Sequence, residues 1–324
     1  VPNTLLTLGQ KLIGGGAKGL STVGEEAARL RMLRAAGGQA PIVGLPQAPL
    51  QVGGAPFIPG PSSSLRDAAE AYMRGTGREY VPVQNYVPVD VPRATKIAQE
   101  FDVMKHTPTD PAVMRSYEAM AKETRDQYEQ LKKLGIKFEP FPPPKEGVPD
   151  PYAATPRLAQ KDFLENKHMY YYPSEQGFGS EASGQAAIDL AQQPLLKGSG
   201  VKIGGKEVPF NDLFRIVHDA FGHIKEGVGF RAAGEENAWR SHARMYSPQA
   251  LPAMTAETRG QNSWVNYGPF AAQNKGASGL DTIYAPQKLG MLPDWVVNSG
   301  RMTPLGIAGG AVTLNNLGEP DGQR

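Results

Sequence analysis

The sequence predicts a mostly α fold with a minor β component: a helical core domain at 65–300, an extended Gly/Pro-rich arm at 1–64 and a short tail at 301–324. Three observations carry that expectation. Apolar residues step by three or four along 111–134, the densest apolar and polar patterning falls at 211–247, and 12 Gly with 7 Pro crowd into residues 1–64. With 40% hydrophobic and 20% charged residues, the chain holds apolar material for one sizeable core rather than for packing throughout its 324 residues.

Within the arm, helical spacing runs from Thr22 to Arg34, and the prolines of PIVGLPQAPLQVGGAPFIPGP beyond it forbid helix and central strand alike. Ser62, Ser63 and Ser64 offer an N-cap to a short helix in which Leu65, Ala69 and Tyr72 share a face. The alternating Val and Pro of YVPVQNYVPVDVP predict an edge strand or polyproline segment. Two helices follow, in RATKIAQEFDVM and from Asp110 to Gly135, and are expected to pair as a hairpin. Asp110 and Pro111 give the second one a cap and a pre-set first turn, Gly135 a stop, and Val113, Tyr117, Met120, Thr124, Tyr128 and Leu131 a buried stripe.

Ile136–Phe141 and HMYYYP predict short strands on either side of a helix at Thr155–Glu165. Residues 177–200 read as a loop, and IGGKEV as a hairpin whose Gly204 and Gly205 accept the positive φ of a primed turn. In NDLFRIVHDAFGHIKEGVGFRAAGEENAWRSHARMYS, Asn211 is expected to cap one helix, and a second runs from Gly234 to Tyr246. LGMLPDWV predicts a packed turn.

Several function classes are excluded by composition. No cysteine is present, which removes disulfides, thiolate zinc sites and cysteine nucleophiles. Lys plus Arg number 34 against 32 for Asp plus Glu, so net charge does not indicate a nucleic-acid partner. No window reaches the roughly 18 consecutive apolar residues of a membrane span. GGGAKG lacks the order of a phosphate loop.

The chemistry that remains is histidine and carboxylate. His218 and His223 are five apart, about 140° around a regular helix, so their rings converge only at a helix end or a bend near Gly222. Glu235, Trp239 and His242 stand at i, i+4 and i+7, which puts Glu235 and His242 on one helical face. Imidazoles with a carboxylate and no sulfur suit Fe(II), zinc or manganese. The alternative is a structural network, in which these side chains and Glu236, Arg231, Arg240 and Arg244 pair with one another. His106 reads as a loop residue, and His168 as a further candidate beside the tyrosine run. A polar group of Thr258, Arg259, Gln261 and Asn262 lies next to Trp264. It offers a surface for a substrate carboxylate or base edge, with Trp239 and Trp264 as walls for a flat molecule.

HDAFGH, His218 to His223, resembles the histidine pair of the aromatic amino acid hydroxylases. The resemblance implies that both histidines are iron ligands and that a glutamate is the third. In that family the glutamate lies roughly forty residues on. Glu257 is nearer to that spacing and competes with Glu235, while Asp219 stands where the family has a glutamate.

A broader resemblance covers roughly residues 80–297, through DVPRATKIAQEFD, NKHMYYYP, the 211–248 run and TRGQNSWVNYGP. These are similar to a domain of unassigned chemistry in tailed-phage structural and large polyvalent proteins. The resemblance implies a virion-associated protein, a capsid, portal or ejection component. Residues 1–64 and 301–324 are then expected to anchor it to other virion subunits in an oligomeric assembly, and a metal-dependent oxygenase or hydrolase acting apart from the particle is the alternative.

Overall fold

The structure, a computed structural model, describes residues 62–83, 86–141, 157–171, 173–174, 193–230, 232–275 and 283–298. The 22–34 helix, the arm up to residue 61, most of the 177–200 loop, Arg231 and the 301–324 tail lie outside them.

The described chain is mostly helical with two small sheets, as the periodicity predicts. Helix α1 (Ser63–Gly75) starts where Ser62 Oγ accepts from the Leu65 amide, and it buries Leu65, Ala69 and Tyr72. Helix α2 (Val91–Val103) is capped by Asp90, and α3 (Pro111–Lys133) by Asp110, whose carboxylate accepts from Ala112 N at 2.7 Å. Gly135 ends α3 in the left-handed region at φ 70°, and the whole expected stripe of α3 is buried.

Strand β1 (Lys137–Pro140) pairs in parallel with β2 (His168–Tyr171), Phe138 opposite Met169. Helix α4 (Arg157–Lys161) leads into a π turn at Asp162–Asn166 just before β2. Strands β3 (Gly198–Ile203) and β4 (Lys206–Pro209) form the expected hairpin, with Gly204 and Gly205 both at positive φ. Then come α5 (Phe210–His218), a π turn (Asp219–Ile224), α6 (Ala232–His242), α7 (Leu251–Thr255), a third π turn (Ala256–Gly260), α8 (Gln261–Tyr267), α9 (Ala271–Asn274) and α10 (Asp294–Asn298).

Helix α3 is the spine: α1, α5 and α7 all pack against it, while α6 packs on the π turn that follows α5. Trp239, Tyr117, Tyr246, Phe101 and Phe221 fill the common core. Polar ties cross that core at fixed points. Thr124 and Tyr246 share a 2.8 Å hydrogen bond, and Ser116 Oγ accepts from Ala253 N. Among the described residues, no helix is long and apolar enough to cross a membrane.

Four local expectations are corrected. Helix α2 packs chiefly on α8 rather than pairing with α3 as a hairpin, because the apolar faces of α2 and α3 turn to different partners. Of the edge strand or polyproline segment expected at 80–92, the strand is not formed by the described residues, and Asn237 clamps Val87, accepting from its amide at 2.9 Å and donating to its carbonyl at 2.8 Å. Pro209, not Asn211, precedes the first turn of α5. The Asn211 amide donates to Ser174 Oγ, whose hydroxyl is also held by Asp212. LGMLPDWV ends in the short helix α10, with Leu289 and Leu292 buried.

Candidate metal centre

The five-residue spacing of His218 and His223 fails to converge on a regular helix, and the chain resolves this by widening the helix. Over Asp219–Ile224 the backbone bonds i to i+5, as in Lys225 N to Ala220 O at 2.8 Å. One wider turn brings residues five apart onto the same side. The rings of His218 and His223 stand edge to face with centroids 5.1 Å apart.

Gly222 lies between them and lets α6 approach. A Cβ there would sit 3.2 Å from both Ala238 Cβ and Ala238 O and 3.3 Å from His218 Cε1. This close packing delivers Glu235, on the first turn of α6, to the two rings. Its Oε2 lies 3.4 Å from His223 Nε2 and 3.8 Å from His218 Nε2. All three donor atoms fall within 4.8 Å of one another, and among the described residues this is the one such group of three. Donors about 2.1 Å from a shared ion are roughly 3.0–3.4 Å apart at right-angled to tetrahedral arrangements, so the Glu235–His223 side already fits and the Glu235–His218 side is a few tenths of an ångström long.

Both Nε2 atoms are buried and make no hydrogen bond. Ring nitrogens normally cost free energy when left so, unless something else occupies their lone pairs. The opposite face of each ring is tied down. His223 Nδ1 donates to Gly229 O at 3.1 Å, and Phe230 stacks on the ring at a centroid distance of 4.2 Å. His218 Nδ1 meets His242 Nδ1 at 3.0 Å, and His242 Nε2 donates to Gln127 Oε1 at 2.8 Å. These three residues can therefore hold a metal ion, with the side chain of Glu235, 24% exposed, on the open side.

Burial works against charge at Glu235, but the imidazoles of His223 and His218 outweigh it and hold the carboxyl well below its usual range. His223 is likewise opposed by burial yet raised overall, because the charge of the adjacent Glu235 carboxylate prevails, with Asp219 assisting. Asp219 is pushed up by burial, moderated by His223 and His218. His242 is pushed well down by burial, then by the charges of His218 and Lys225, so it stays neutral.

The raised value at His223 has a defined sign. Its pairing with Glu235 stabilises the metal-free fold below the unfolded imidazole pKa of about 6.5, and that contribution is lost as pH rises through the folded value. A bound ion needs the neutral ring, so the two effects run oppositely. The rise in melting temperature on adding zinc is expected to grow as pH increases above about 6.5. A zinc effect constant across that window in thermal unfolding would contradict the assignment.

The other sequence candidates go elsewhere. Glu257 is not in the cluster: its carboxylate accepts from Tyr117 Oη at 2.8 Å and from Gln261 Nε2 at 2.9 Å. His242 stands behind His218, touching the ring nitrogen opposite Glu235, so the shared face of α6 grips one imidazole from both sides. Trp239 is core, donating to Thr255 Oγ1, with the Arg259 guanidinium 3.9 Å over its ring. Arg259 is paired twice with Glu236, Trp264 donates to Asp102, and Asn262 accepts from Asn266. Thr258 donates to Met254 O, so all six proposed substrate contacts are engaged within the fold. His106 accepts from the Leu289 amide, and His168 bridges Asp162 and Glu139.

Sequence reasoning missed Gln127, the Gly229 carbonyl and Phe230. The π turn carried one signal, the five-residue histidine spacing itself. Comparison with protein-family models, with curated proteins and with solved structures finds no match to this chain.

Proposed function

We propose that this chain is a metalloprotein of a tailed-phage particle, whose helical domain holds one divalent ion on His218, His223 and Glu235. The observation that carries the metal reading is the pair of buried Nε2 atoms without hydrogen-bond partners, turned toward one carboxylate. Two imidazoles and one carboxylate suit Fe(II) best, with zinc and manganese as alternatives, and leave coordination positions for water, dioxygen or a substrate oxygen. Such an ion supplies Lewis acidity or a site for oxygen activation. The chain itself supplies fixed ring orientations through Gly229 and His242, a charged carboxylate, and an approach on the Glu235 side.

Anaerobic loading with iron(II), followed by desalting and elemental analysis, tests the metal reading. One equivalent per chain is expected, and trace uptake of iron, zinc and manganese alike would overturn it.

The particle reading is supported by the phage-protein resemblance over residues 80–297 and by the Gly/Pro composition of 1–64. In it, residues 1–64 and 301–324 bind other virion subunits. The protein then belongs to the virion, and to the host cytoplasm during assembly or after injection. Deleting 1–64 is expected to leave the domain folded while abolishing incorporation, and full occupancy of purified particles by the truncated chain would contradict this. The partly exposed Glu235 favours a second reading, an oxygenase-like or hydrolytic enzyme acting apart from the particle. That reading predicts metal-loaded protein that never copurifies with virions.

A further inference from the structure

Behind the candidate ligands runs a chain of hydrogen bonds that ends 115 residues away in sequence, on α3. Gln127 is fully buried and so is His242, and neither belongs to the ligand set. The placement of the Gln127 amide sets the direction of each link. A carboxamide oxygen only accepts, so the 2.8 Å contact from His242 Nε2 to Gln127 Oε1 places the His242 proton on Nε2. A neutral imidazole then has a bare Nδ1, which accepts. The 3.0 Å contact between the two Nδ1 atoms therefore puts a proton on His218 Nδ1 and leaves the lone pair of His218 on Nε2, the atom facing Glu235.

We propose that Gln127 and His242 form a relay that fixes His218 in the tautomer a metal ion requires, making both of them positioning residues for the centre. The inference rests on the metal reading above and deepens it, by naming what presets the least constrained of the two histidine ligands. His223 is preset locally by the Gly229 carbonyl, six residues on. His218 has no such neighbour on its own turn and takes its orientation from α3 through α6. The packing holds the relay in place: the rings of Phe214 and His242 are stacked at 6.2 Å, and Tyr246 meets His242 edge-on at 5.0 Å. The amide direction at Gln127 is the switch point. Turned the other way, its nitrogen would donate to His242, every proton in the chain would shift by one bond, and His218 would present Nε2–H to Glu235 in a purely structural pair.

Long-range proton–nitrogen correlation NMR on metal-free, histidine-labelled protein, recorded above the imidazole titration range, reads the tautomers directly. The wild type is expected to show His218 protonated on Nδ1 and His242 on Nε2. Gln127→Leu is expected to mix both tautomers and to weaken zinc binding by about 10–100-fold, the usual effect of losing a partner behind a metal-bound histidine. Gln127→Glu, whose carboxylate still accepts, is expected to restore both. His218 protonated on Nε2 in the wild type would overturn the relay whether or not any variant folds, as would Gln127→Leu binding zinc with unchanged affinity. The two proposals fail separately: wild-type protein that takes up no metal yet shows Nδ1–H on His218 would end the metal reading and leave the relay as a feature of the fold.

Discussion

Replacing His223 with alanine is expected to abolish metal uptake. The substitution removes a donor atom, leaves the Gly229 carbonyl without its imidazole, and takes away the ring on which Phe230 stacks. Loss of a ligand costs more than the 10–100-fold typical of an outer hydrogen-bond partner, so the effect exceeds that of changing Gln127. At a zinc concentration near 100 times the dissociation constant, the wild type gains about 2.7 kcal/mol of stability by mass action, and the variant gains none. The two candidate glutamates separate in the same assay. Glu235→Gln is expected to lose the zinc-induced rise in melting temperature, and Glu257→Gln to keep it, since Glu257 serves Tyr117 and Gln261 instead. The opposite pattern would transfer the third ligand to Glu257.

Gly234→Ala is expected to destabilise the domain by about 3 kcal/mol or more, beyond the usual cost of overpacking, because the obstacle is backbone. A Cβ at residue 234 would lie 1.6 Å from Gly229 O and 2.5 Å from Gly229 C. That carbonyl is the acceptor for His223 Nδ1, so the clash reaches the centre directly: the turn must open, and the ring loses its orientation. Chemical denaturation and zinc titration should therefore fail together in this variant. Gly75→Ala is the control, at a helix end where an added Cβ meets nothing within 4 Å, and is expected to be neutral or slightly stabilising. A Gly234→Ala protein with wild-type stability would show that Gly229 and Gly234 do not pack as described.

These residues mark where the sequence was readable and where it was not. The caps at Ser62 and Asp110, the stripe on α3 and the Gly-Gly hairpin are local signals, written within a few residues of the structure they produce. His218, His223 and Glu235 were legible as residue types suited to a metal. Their convergence was not, because a π turn inserts one residue into the helical repeat without changing its composition. The choice between Glu235 and Glu257 was hidden for a related reason. It depends on how closely α6 approaches the turn at Gly222, which is a matter of packing. Gln127 was out of reach altogether, since a polar residue on an amphipathic helix carries no mark of the partner it meets 115 residues later. The grouping of Trp239, Arg259, Gln261, Asn262 and Trp264 as substrate contacts followed from adjacency in sequence, and the fold gives each of them an internal partner.

X-ray absorption spectroscopy at the iron edge of anaerobically loaded protein, calibrated by elemental analysis, looks at the three donors together. One iron per chain is expected, with scattering from two imidazoles and nitrogen or oxygen neighbours at about 2.0–2.2 Å. Iron that shows only oxygen neighbours, or a spectrum unchanged in His218→Ala, would mean that these rings do not hold the ion.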